Sequence, residues 1–125
     1  MYSPKPAPFK FADPALKYRI DLNMFELLED YVSPEITIPK SFLTDGATVP
    51  RIFWCLIPPY HRYLPAAIIH DYQCDLGVDR HFALKLFRTN LLRLGISAKY
   101  RFVMYYGIKA YIYWLAFKEE VRKWL

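Results

Sequence analysis

"LPAAIIHDYQCD", residues 64–75, is the stretch on which the fold turns. Ala66 and Ala67 are small enough for another element to approach a helix here closely. Pro65 is tolerated in a first helical turn, and Gly77 supplies the stop. The spacing therefore predicts a helix from Arg62 or Tyr63 to Cys74. Helical geometry would place Tyr63, Ala67, His70 and Cys74 on one face, with Asp71 and Asp75 on the neighbouring one. Sequence before this helix carries strand patterning, and sequence after it carries helix patterning.

Working upstream, "KYRIDLN" alternates Tyr18, Ile20 and Leu22 against Arg19, Asp21 and Asn23, the period of a half-buried strand. "FELLEDYV" is expected to pair with it as a hairpin, with the turn near Asn23 and Met24. "ITIP" adds a third short strand that Pro39 ends or keeps at an edge. Residues 1–16 hold four prolines and read as an extended arm, which leaves 17–125 as the single folded domain. "RIFWCLI" after Pro50 predicts one short helical turn, stopped by Pro58 and Pro59.

Downstream, Asp79 is a good N-cap for a further helix. Phe82, Ala83, Leu86, Phe87, Asn90, Leu91 and Leu94 mark its buried stripe, and Gly95 closes it. Ser97 caps a last helix running from Ala98 onward. The expected fold is α+β: a small N-terminal antiparallel sheet followed by a three-helix bundle.

The totals narrow the class. A chain of 125 residues fits one domain with one core, and a hydrophobic content of 54% excludes a disordered chain. The net charge of +5 suits an anionic partner but is also explained by solubility. No long basic block and no nucleic-acid-binding motif is present, so nucleic acid is not expected as a partner. Cys55 and Cys74 are too few for a disulfide-dense secreted scaffold, and no signal peptide is recognisable, so free thiols in a reducing cytoplasm are expected.

Two stretches carry chemistry. In "TDGATVPR", residues 44–51, Asp45-Gly46 is a turn signal and Thr48 a helix cap, which accounts for much of the motif. Asp45 and Arg51 beside Ile52-Phe53-Trp54 nevertheless call for a charged partner. In "AAIIHDY", His70 is either a hydrogen-bonded core histidine or a reactive group. Cys55, His61, His70, Cys74 and His81 include zinc-ligand types without the usual zinc spacing. Cys55 with His70 would be a nucleophile pair. The chemistry that best fits "HD" is a histidine base beside an aspartate holding a hard cation, since adjacent helical side chains diverge by about 100°.

These residues resemble a family of unknown function associated with tailed phages and prophages. Its pattern is T-D-x-x-S-V-P-R-x-x-W, then P-P, then Y-x-x-A-A-x-x-H-D-Y. This chain matches with Thr44-Asp45, Thr48 in the serine position, Val49-Pro50-Arg51, Trp54, Pro58-Pro59, Tyr63, Ala66-Ala67 and His70-Asp71-Tyr72. The resemblance implies host cytoplasm or virion as the location. It also singles out a departure: many members carry an acid in an A-D-x-x-F pattern where this chain has Leu84. If that acid orients the histidine, Asp45, Asp75 or Asp79 must substitute here, or there is no catalysis. The His-Asp helix is similar, more distantly, to that of secreted phospholipase A2, where the histidine activates water and the aspartate binds calcium. The calcium-loop glycines and paired cysteines of that enzyme are absent.

"YRFVMYYGIKAYIYWLAF" is apolar almost all round, yet Gly107 and Lys109 leave segments shorter than the roughly 20 residues of a membrane span. It reads as a core helix or as one that meets a partner. Phe102, Tyr105, Ile112, Leu115 and Ala116 are expected to pack on the preceding helix. Tyr111, Trp114 and Trp124 are expected to meet a second subunit, another phage protein or a membrane surface.

Two functions follow from these readings. The first is a non-enzymatic virion, assembly or host-interaction protein, with a structural network of Asp45, Thr48, Arg51, His70 and Asp71 supported by Tyr63 and Tyr72. The second is a small cation-assisted hydrolase of ester or phospholipid type. In it His70 is the base, and Asp71 with Asp45 binds the metal, calcium by analogy.

Overall fold

Asn23, at φ 53°, turns the chain between the first two strands, a left-handed position that asparagine tolerates better than most residues. The computed structural model describes residues 7–44 and 63–125. Strands β1 (Leu16–Arg19) and β2 (Met24–Leu27) form an antiparallel hairpin, with Leu16 opposite Leu27 and Arg19 opposite Met24. Across its turn Tyr18 Oη donates to Asn23 Oδ1, and Arg19 reaches both Asp21 and Glu26 at 2.8 Å. Strands β3 (Tyr31–Val32) and β4 (Thr37–Ile38) pair separately, while β5 (Leu43–Thr44) adds to the free edge of β2. The result is a three-stranded sheet in the order β1-β2-β5 and a two-stranded one, both antiparallel. Three helices follow: α1 (Leu64–Asp75), α2 (Arg80–Arg93) and α3 (Ala98–Trp124). The fold class is α+β, as the switch in periodicity predicts.

The strand reading of "KYRIDLN" needs correction. The strand stops at Arg19, and Tyr18, Ile20 and Leu22 are exposed, Ile20 at 87%. Alternation there reflects a turn that happens to interleave apolar and polar residues; the residue that meets the core is Leu16.

The core sits on the two sides of α1. One cluster joins Tyr63, Ala66 and Ala67 to Leu84, Phe87 and Leu91 of α2 and to Met104 and Ile108 of α3. The other joins Ile68 and Ile69 to Leu27, Tyr31 and Ile38 of the sheets and to Leu86. A helix covered on both sides can be apolar all round, which is why residues 65–70 are buried without interruption. Ala66 and Ala67, at 0% and 2% exposure, let the α2–α3 side pack against the α1 backbone.

In α2, Asp79 caps as expected, accepting from the Phe82 amide at 3.1 Å. Ser97 precedes α3 without a side-chain cap bond. The stripe of α2 is the expected one from Ala83 to Leu94, except that Phe82 is 61% exposed and Leu84, not expected in it, is buried at 1%. Gly77 and Gly95 both have positive φ and end α1 and α2. In α3 only Met104, Gly107 and Ile108 are buried, with Tyr105 and Ile112 packed beside them. Phe102 and Ala116, expected at the α2 contact, are exposed instead. They lie about a third to a quarter turn off the buried stripe at 100° per residue.

Candidate functional site

His70 is 3% exposed and faces α2 from the last turns of α1. Its Nδ1 donates to the Ala83 carbonyl oxygen at 3.3 Å, and its Nε2 meets Cys74 Sγ at 3.6 Å. The ring also rests against Phe87, centroids 5.3 Å apart. Burial pushes the imidazole pKa below its ordinary value, with the Ala83 bond acting weakly the other way. The ring is therefore neutral near pH 7, with its proton on Nδ1 and its lone pair on Nε2.

Cys74, one turn on, has its thiol pKa raised by burial and then by Asp71, while Arg80 opposes. A raised thiol pKa means little thiolate and little nucleophilic power, so the contact is an S–H donor on an imidazole acceptor. This His-Cys pair follows from the i, i+4 face read in the sequence. The Ala83 carbonyl was invisible there because it is a backbone group brought in by tertiary packing.

The remaining expected site residues divide into three groups. Asp45, Thr48 and Arg51, like Cys55 and His61, lie outside the described residues, and so does the proposed proximity of Asp45 and Arg51 to α1. Tyr63 is a core residue at 2% exposure, and Tyr72 turns to the sheet side, edge-on to Phe42 at 5.1 Å. Asp71 is half-buried on the face beside His70 and, like Tyr63 and Thr44, has interactions of its own. Asp79 is committed to its cap and Asp75 is exposed. Among the described residues, then, a backbone carbonyl and not an acid orients His70. Leu84, at the position read as a departure from the A-D-x-x-F pattern, is sealed in the three-helix cluster. No three carboxylate, histidine or cysteine side chains converge as metal ligands among the described residues.

Two features escaped the sequence reading. Arg93, with a side chain only 7% exposed, holds Glu35 through two bonds of 2.6 and 2.8 Å. It also donates to Asn90 Oδ1 and to the Ala7 carbonyl oxygen, tying α2 to the β3–β4 connection and to the N-terminal segment. A groove of about 670 Å³ opens between the start of α2 and the far half of α3, with Arg80, Lys118 and Arg122 around Ile112 and Leu115.

The fold and this geometry define a small α+β domain whose histidine is locked between two helices. The chain belongs to the family described as protein of unknown function (DUF1353), whose model matches residues 25–108. It is also similar to the uncharacterized protein y4jT of Sinorhizobium fredii (strain NBRC 101917 / NGR234), with 28% identity over 96 residues. That match takes in 70% of this chain and 29% of the relative, so the chain spans under a third of that protein's length. No solved structure matches. No helix among the described residues is long and apolar enough to cross a membrane.

Proposed function

We propose that this protein is a non-enzymatic interaction module of the phage virion, assembly or host-contact type, in which the His-Asp helix is a structural element. The observation that carries this reading is the exposed far half of α3. There Tyr111, Tyr113, Trp114, Phe117 and Trp124 stand 41–83% exposed on a single helix. Contiguous apolar surface of that kind marks a contact site. The state of His70 supports the non-enzymatic part: it is buried, neutral and engaged at both nitrogens.

A second reading, the cation-assisted hydrolase, draws on the same tautomer, because Nδ1–H held by a carbonyl leaves Nε2 as a base. At 3% exposure that base has no access to a substrate water. The experiment is to assay the protein on short-chain esters and phospholipid with and without calcium, and to melt His70→Ala. No turnover, together with a lower melting temperature for the variant, is expected. Turnover that disappears in a variant melting like the parent would establish the hydrolase instead.

A further inference from the structure

The outward side of α3 carries a pattern that general stickiness does not require. Ala110, Trp114, Phe117, Val121 and Trp124 follow one another at spacings of 4, 3, 4 and 3, and all five are exposed. This is the 3.5-residue repeat of a helix that pairs with another helix. Ile108 packs on the body of the domain, and Phe117 lies nine residues on, two and a half helical turns away. The repeat therefore runs along the side of α3 opposite its packed side, away from the other described elements.

We propose that this face pairs with the same face of a second copy of the chain, α3 against α3, in parallel and in register. The proposal rests on the interaction reading above and names its partner. Area supports it. A buried aromatic side chain accounts for about 150–250 Å². The rings of Tyr106, Tyr113, Trp114, Phe117 and Trp124, half to four-fifths exposed, thus offer on the order of 600 Å². The seam's aliphatic positions bring this close to the roughly 800 Å² that each partner contributes to a standard interface.

Charge sets the direction. The positions flanking the seam are Tyr113 and Glu120 on one side and Tyr111 and Lys118 on the other. In a parallel pair Lys118 comes beside Tyr113 of the other copy. An antiparallel pair with the seam fully overlapped would bring Lys118 towards Lys118, which is unfavourable. The flanking charges of Lys118 and Glu120 cancel, so they give no net attraction to an anionic bilayer, which would have no need of a 4-3 spacing.

Light scattering on the eluting protein at tens of micromolar tests the pairing. The expected mass is twice the 14.9 kDa of the chain. Phe117→Glu, an exposed substitution, should return the single-chain mass with unchanged far-ultraviolet circular dichroism. Ala110→Cys should cross-link two copies on mild oxidation, whereas the parent, which still carries Cys55 and Cys74, should not. A parent of single-chain mass up to hundreds of micromolar overturns the proposal, as does a Phe117→Glu that keeps the double mass. Binding of a single-chain parent to phosphatidylserine vesicles also overturns it, by assigning the face to lipid. Those outcomes leave the interaction reading standing; that reading falls only with the hydrolytic activity described above.

Discussion

Acid should loosen this fold through His70, and the effect is open to isolation. The imidazole is held neutral by burial, so its folded pKa lies below the ordinary 6.5. The unfolded chain therefore binds a proton that the folded chain refuses. The stability this contributes is fully present above the unfolded pKa, and it is lost as pH falls from about 6.5 towards the folded pKa. A single group cannot exceed a slope of about 1.4 kcal/mol per pH unit. For a domain of this size about 1 kcal/mol moves the melting temperature by about 3–5 °C. The assay is a set of thermal melts followed by circular dichroism from pH 8 to pH 5, on the parent and on His70→Leu. The replacement keeps an apolar side chain against Phe87 and removes the titration. The parent should lose stability below pH 6.5 with a slope that the variant lacks. Parallel curves would refute the buried neutral state, and a parent that gains stability on acidification would refute its sign.

Further predictions concern the contacts around this site. Arg93→Ala should destabilise by about 2 kcal/mol, since a nearly buried guanidinium leaves Glu35, Asn90 and the Ala7 carbonyl without their donor; urea unfolding measures it, and a loss under about 0.5 kcal/mol would mean that solvent replaces those bonds. Cys74, its thiol pKa raised by burial and Asp71, should alkylate more slowly with iodoacetamide at pH 7.5 than a free cysteine model peptide. The two rates should converge as the pH rises well above 9; peptide mass spectrometry reads the modified fraction.

How much of this was legible in the sequence depends on the range of each interaction. The α+β order, the Asn23 turn, the Asp79 cap, the glycine stops and the His70–Cys74 face were all readable. Each rests on neighbours within a turn of helix or hairpin, where local geometry dictates the outcome. The fate of position 84 was half readable: the family resemblance implies an acid where this chain has Leu84. Only packing shows that it belongs to the three-helix core.

Tertiary structure decided the rest. Apolar residues in "KYRIDLN" suggested a longer buried strand, but the chain turns after Arg19 and leaves Ile20 in solvent, because only the Leu16–Leu27 end of the hairpin joins the core. Only the last helix looked apolar almost all round, and periodicity could not say which helix is central. It is α1, since sheets and helices cover it from opposite sides, whereas among the described residues α3 is packed on one side only. The orienting group of His70 was likewise unreadable, because the carbonyl of Ala83 is a property of the backbone that no residue type announces. Sequence determined the elements and their local chemistry; the burial of His70 and the exposure of the α3 seam depended on which faces long-range contacts cover.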